Sequence, residues 1–202
     1  MIARAAAGQV VIRLKAGDPM VFGRGGEEAA ELAAAGVPFE IVPGISAALG
    51  AAAGAGIPLT HRRHASDVTL VTGHDVDGAH ASRTDWAAIA RGTGTVVLFM
   101  ASKLLAANLA RLISGGRAPG TPAAYIAAAT TPAQRVVTGT LATLATEVEL
   151  AAIDPAAPAL VIVGDVVGLR DQLAWFAPEP LAGTRLLVGR ARPGLSQLSA
   201  RR

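Results

Sequence analysis

Leu14-Lys15-Ala16-Gly17-Asp18-Pro19-Met20-Val21-Phe22-Gly23-Arg24-Gly25-Gly26-Glu27-Glu28 follows the β-branched run Val10-Val11-Ile12 and leads into an alanine-rich stretch at residues 29–35. A strand, a glycine-dense loop and then a helix is how α/β proteins build ligand sites at the carboxyl ends of their strands. The loop interleaves Gly17, Gly23, Gly25 and Gly26 with Asp18 and Arg24, where a bare turn needs only one or two glycines. Glycines let backbone approach a ligand closely, and Asp18 offers a short, fixed acceptor for hydroxyl or amine hydrogens. The pattern favours a binding loop over a connector.

Outward from this loop, residues 2–7 read as the tail of a helix with Gly8 just past its end, and residues 10–15 as a buried strand. Residues 27–35 read as a helix closed by Gly36, and residues 38–42 as a second strand that runs into Pro43-Gly44-Ile45-Ser46. Ser46 is suited to cap a helix over residues 47–55. Gly56-Ile57-Pro58-Leu59-Thr60 breaks the pattern and marks a domain boundary. Beyond it, strands at 67–72, 94–100, 123–127 and 159–163, with extended structure at 134–138, alternate with helices at 86–90, 104–113 and 141–150. That alternation argues an α/β architecture. The resulting division is an N-terminal α/β domain at 1–59, a C-terminal α/β domain at 60–176, and a linker with the start of a further domain at 177–202.

Composition narrows the function. The chain is 51% apolar and 16% charged, so it can bury a core and does not read as disordered. Sixteen of the eighteen basic residues are arginine, and they are scattered without aromatic interleaving, so no nucleic-acid groove is supported. Without cysteine there is no disulfide framework, thiol nucleophile or zinc-thiolate site. No apolar run is long enough to span a membrane and the N-terminus lacks a secretory pattern, so a cytoplasmic protein is expected. Metal-ligand spacing is absent, and so are a Gly-x-Ser-x-Gly elbow and a Walker A loop.

Three further constellations carry candidate chemistry. Val42-Pro43-Gly44-Ile45-Ser46-Ala47 ends a strand and opens a helix whose free N–H groups suit a carboxylate or phosphate; a plain turn reads the same way. In Pro58-Leu59-Thr60-His61-Arg62, His61 suits acid–base work and Arg62 suits a carboxylate, against a solvated linker. His74, after Thr72-Gly73, divides similarly. Thr130-Thr131-Pro132-Ala133-Gln134-Arg135 offers hydroxyls and an amide for a polar ligand, or a capped turn.

Together these stretches resemble the uroporphyrinogen-III C-methyltransferases of the tetrapyrrole methylase superfamily. Lys-x-Gly-Asp-Pro-x-Val-Phe-Gly-Arg-Gly-Gly-Glu-Glu, Val-Pro-Gly-Ile-Ser-Ala, Gly-Ile-Pro-Leu-Thr-His-Arg, Val-Thr-Gly-His and Gln-Arg-Val-Val-Thr-Gly-Thr-Leu occur here in the family's order. The similarity runs from about residue 1 to residue 176.

The resemblance implies a tetrapyrrole methylase-like fold of two α/β domains with a cofactor cleft between them. It implies S-adenosylmethionine as methyl donor, S-adenosylhomocysteine as product, no metal, and uroporphyrinogen III as substrate. The product would be precorrin-2, on the way to sirohaem or cobalamin, and the assembly a homodimer. Cofactor contacts would fall at Ala16, Gly17, Asp18, Val21, Ser46, Ala47, Met100 and Ala129. Arg24 and Arg62 are chosen on chemistry as receivers of substrate carboxylates, and no catalytic group is assigned.

Two departures from the family carry expectations of their own. The family usually has glycine where Ala16 and Ala129 stand, a substitution that strains the chain if φ is positive. The family's opening strand, its Gly-rich loop and the proposed acid/base residues are absent, so an incomplete first domain is expected, with open sheet edges, bare apolar faces and a tendency to associate. The segment from Gly183 to Arg190 resembles the opening of a fused uroporphyrinogen-III synthase domain. The chain is thus expected to be an internal piece of a bifunctional enzyme, with a non-catalytic remnant or a methyltransferase of another substrate as alternatives.

Overall fold

The computed structural model describes residues 1–73, 84–176 and 184. Among them, β1 (Val68–Thr72), β2 (Thr95–Phe99), β3 (Pro122–Ala127), β4 (Arg135–Thr140) and β5 (Ala159–Val163) form one mixed sheet in the order β1-β2-β5-β3-β4. β1 and β2 are parallel, while β5 is antiparallel to both β2 and β3, and β4 is antiparallel to β3. The register aligns Thr72, Phe99, Leu160, Ile126 and Val136 in one row across all five strands. β1, β2 and β3 therefore leave the sheet along the same edge. No helix among the described residues is long and apolar enough to cross a membrane.

The period-two alternation of the strands sorts their side chains between two cores. Val96, Leu98, Tyr125, Val161 and Val163 meet α4 (Trp86–Arg91), α5 (Leu105–Ser114) and α6 (Leu144–Leu150) on one face. α5 buries Leu105, Asn108, Leu109 and Leu112, the one-sided spacing of a half-buried helix. Val97, Phe99, Ala124, Ile126, Leu160 and Ile162 form the other face with α3 (Ala47–Ala55), which buries Ala48, Ala51, Ala52 and Ala55. Alanine methyls allow this helix to lie close to the strands. The contact continues through the expected boundary, because Ile57 and Ala65 belong to the same buried cluster.

The first fifty residues carry α1 (Ile2–Ala6) and α2 (Gly25–Ala34), and α7 (Arg170–Leu173) closes the described helices. Here two expectations need correction. Neither residues 10–15 nor residues 38–42 form a strand. A strand exists only when its backbone N–H and C=O groups find a partner chain, and among the described residues neither run has one. Residues 10–15 are not buried either: Val10 is 94%, Ile12 86% and Leu14 85% exposed. The two runs instead line a cavity of about 1100 Å³ beside α2. The expected bare apolar surface is thus present without the strands that would have carried it.

The helix expected over 141–150 begins at Leu144, because the Thr143 hydroxyl accepts the Thr140 N–H at 3.0 Å and holds a turn ahead of it. His74 and the synthase-like segment lie outside the described residues.

Candidate cofactor-binding site

The glycine loop is built around two polar clamps. The ammonium of Lys15, with a side chain only 12% exposed, sits 2.9 Å from Glu28 Oε2 and donates to the carbonyl of Gly23. It ties the start of the loop to its end. Asp18 makes the second clamp: Oδ1 accepts the Met20 N–H at 2.8 Å and Oδ2 accepts the Gly44 N–H at 3.0 Å. The latter joins the glycine loop to the Pro-Gly turn before α3. These donors, Gly44 first and Met20 next, hold the Asp18 carboxyl below its ordinary pKa. The Lys15 hydrogen bond does the same for Glu28.

The loops meet at van der Waals limits. A Cβ on Gly44 would collide with the Gly17 carbonyl oxygen. Gly17 has φ +69°, and a Cβ there would lie 3.4 Å from the backbone nitrogen of Ala47. Gly17 and Asp18 are therefore seated against the N-terminus of α3. Ser46 occupies the cap position of that helix, as expected, but its hydroxyl makes no capping hydrogen bond. It is 7% exposed, and its Oγ is buried without a hydrogen-bond partner among the described residues. An unsatisfied buried hydroxyl costs roughly 1–3 kcal/mol, and at a helix N-terminus it stands ready for a ligand.

The strand exits supply the facing side. The ring of Phe22 lies 4.7 Å from that of Phe99, so the glycine loop touches the last residue of β2. Met100 follows, exposed. Val21 and Ala129 pack against the core cluster that contains Phe99, which places the turn after β3 in the same neighbourhood. At the exit of β1, Gly73 donates its N–H to the Phe99 carbonyl at 2.7 Å, and its own carbonyl accepts from buried Asn108 Nδ2 at 2.9 Å.

Backbone strain gathers in these loops. Phe22, Arg24, Met100, Ala128 and Thr130 all have φ between +45° and +64°. Left-handed conformations cost a non-glycine residue roughly 1–3 kcal/mol each and persist where surrounding contacts hold them, as at ligand clamps. Neither Ala16 nor Ala129 is among the positive-φ residues. Alanine at those two positions adds a methyl without a conformational penalty.

The structure thus brings Gly17, Asp18, Val21, Ser46 and Ala47 together, with Met100 and Ala129 on the adjoining strand exits and Ala16 at the start of the loop. Asp18 holds two backbone donors, where the sequence suggested an acceptor for ligand hydrogens. The hydroxyl and amide groups after Ala129 are engaged as a capped turn. Thr131 Oγ1 donates to Ala128 O at 2.7 Å, while Gln134 receives the Thr130 N–H at 2.7 Å and donates to Gly54 O at 2.9 Å.

Arg24 is exposed and paired with Glu27 at 2.7 Å, and that hydrogen bond raises its pKa. Arg62 lies outside the cluster, in a depression with Thr60, His61, Ala65 and Ser66. The His61 ring lies 4.9 Å from that of His64, tilted by 46°, and its Nδ1 accepts the Arg63 N–H at 3.3 Å.

Lys15, Phe22 and Gln134 emerge here as parts of the site's framework. Lys15 had one signal in the sequence, being one of only two lysines in a chain that otherwise uses arginine. A compact ammonium with rotatable donors suits one carbonyl and one carboxylate better than a planar guanidinium does. The pairing of Phe22 with Phe99 had no local signal.

The family model of the tetrapyrrole (corrin/porphyrin) methylases matches residues 1–145. The chain is 49% identical over 200 residues to a siroheme synthase of Neisseria meningitidis serogroup C (strain 053442), covering 99% of this chain and 40% of that protein. It is 49% identical over 176 residues to a uroporphyrinogen-III C-methyltransferase of a Sinorhizobium species, covering 87% of this chain and 62% of that one. Its fold matches the crystal structure of a Thermus thermophilus uroporphyrin-III C-methyltransferase complexed with S-adenosylhomocysteine. There the TM-score is 0.69 and the identity 37%, over 83% of this chain and 72% of that one. The chain thus spans 40% and 62% of the lengths of these two curated relatives, less than two thirds of either. With the family model matched over most of its length and the fold shared with a solved member, the chain belongs to the tetrapyrrole methylases.

Proposed function

We propose that this chain takes part in S-adenosylmethionine-dependent C-methylation of uroporphyrinogen III, giving precorrin-2 for sirohaem or cobalamin synthesis. The observation that carries this reading is the buried Ser46 Oγ at the N-terminus of α3, without a partner among the described residues and with Gly17 seated against its backbone. A helix N-terminus with a spare hydroxyl fits the carboxylate or ribose hydroxyls of the cofactor. Gly17, Ser46 and Ala47 would hold that polar part. Val21, Met100 and Ala129 would supply apolar contact, with Asp18 keeping the two loops in register and Ala16 leading the chain in.

When bound, the cofactor supplies an electrophilic methyl to a pyrrole carbon, and the chain's residues serve chiefly to orient the two reactants. Arg62, without an ion pair among the described residues, would meet substrate carboxylates. Arg24 would do so by exchanging its pairing with Glu27. A cytoplasmic homodimer, with the domains at 1–59 and 60–176 forming the cleft, completes this reading.

A second reading, a chain that keeps the fold but not the activity, is favoured by the exposed, unpaired runs at 10–15 and 38–42. Calorimetric titration with S-adenosylhomocysteine, followed by turnover of uroporphyrinogen III, separates the two. Micromolar binding and methyl transfer support the first reading. A folded chain that gives no heat of binding would leave the second.

A further inference from the structure

We propose that Gln134 is a positioning residue that holds the strained turn after β3 against α3, and so presents Ala129 to the cofactor; this rests on the site reading above. The turn is strained, because left-handed Ala128 and Thr130 flank Ala129 on both sides, at φ 45° and 64°. Neither is a residue that adopts this region readily: alanine has no polar side chain to bond locally, and threonine is β-branched.

Something must hold the turn, and one side chain reaches both it and the helix. Gln134 Oε1 accepts the Thr130 N–H at 2.7 Å, and Nε2 donates to the Gly54 carbonyl at 2.9 Å. The helix is shaped to admit it, since a Cβ on Gly54 would lie 2.7 Å from Gln134 Oε1 and 3.4 Å from Thr130 Cγ2. The amide satisfies one backbone donor in the turn and one backbone acceptor in the second half of α3. Only a neutral side chain with both an acceptor and a donor does this. The helix whose N-terminus carries Ser46 is thereby fixed to the turn that carries Ala129. Gln134 thus ties the two halves of the candidate site by hydrogen bonds, beside the Thr130 methyl that faces the same helix.

The test uses the whole chain and S-adenosylhomocysteine as probe, read by calorimetry alongside thermal unfolding. Gln134→Met keeps the length of the side chain and removes both hydrogen bonds, and should weaken binding about tenfold. Adding Ala128→Gly relieves the left-handed strain, so the double variant should return to within about threefold of the Ala128→Gly single variant. A Gln134→Met chain that melts earlier but binds with unchanged affinity would reduce Gln134 to a structural tie and overturn the proposal. Failure of Ala128→Gly to restore affinity would overturn it as well, because the strained turn would then not be the link. If Gln134→Met does not fold, the comparison of the double variant with Ala128→Gly decides. Absence of binding by the unsubstituted chain would refute the site reading itself, whereas unaltered binding by Gln134→Met refutes only the role of Gln134.

Discussion

Asp18 and Gly44, 26 positions apart in sequence, are joined by a 3.0 Å hydrogen bond that fixes the glycine loop to the turn before α3. Because the Gly44 and Met20 N–H groups lower the Asp18 pKa, the clamp is fully present above the ordinary carboxylate value. It is lost as pH falls through the lower, folded value. Glu28, lowered by Lys15, follows the same sign. S-adenosylhomocysteine affinity should therefore be flat from about pH 8 to about pH 5 and decline only below about pH 4, where carboxylates protonate. Titration calorimetry across that range checks it. A decline setting in between about pH 7 and 6, the range of histidine, would show that another group controls the site.

Gly44→Ala tests the same contact sterically. The new methyl would meet the Gly17 carbonyl oxygen, which is backbone and cannot swing away. We expect a loss of about 1–3 kcal/mol in stability, typical of overpacking, together with loss of S-adenosylhomocysteine binding. Thermal unfolding and calorimetry on one preparation measure both. Wild-type affinity in the variant would mean that the loops can part without harm to the site.

How far the sequence reveals this molecule depends on whether a signal is local. α3, α4 and α5 lie close to the expected ranges, since alanine runs, an Asp85 cap accepting the Ala88 N–H and the spacing of Leu105, Leu109 and Leu112 are all written within single helices. β2, β3 and β5 were equally legible as apolar runs between turns. Residues 10–15 carry the same signal and yet form no strand. Hydrophobic pattern says what a segment can pair with, not whether a partner is there. Gln134 shows the same limit from the polar side: its amide reads as a ligand group until the fold places Gly54 and Thr130 within its reach.

The exposed run predicts association. Val10, Ile12 and Leu14 are exposed at every second position of a segment whose backbone pairs with no strand among the described residues, a template for pairing with another chain. Sedimentation at rising concentration should show self-association that a Val10→Thr, Ile12→Lys, Leu14→Thr variant loses. A monomeric chain with full helix content and a single cooperative unfolding transition would refute the idea that this surface is unstable when bare.

Ser46→Ala separates folding from binding most directly. In the free protein Ser46 Oγ is buried and has no hydrogen-bond partner among the described residues. Removing it therefore breaks nothing and relieves an unsatisfied group, so stability should stay level or rise by up to about 1 kcal/mol. If that hydroxyl serves the cofactor, affinity for S-adenosylhomocysteine should fall about five- to tenfold, the worth of one hydrogen bond at about 1.0–1.4 kcal/mol. The two effects have opposite signs, which a role in capping α3 cannot produce, since losing a working cap costs about 1 kcal/mol of stability. Calorimetry and thermal unfolding of the one variant give both numbers. A fall in stability with unchanged affinity would return Ser46 to the helix and take it out of the site.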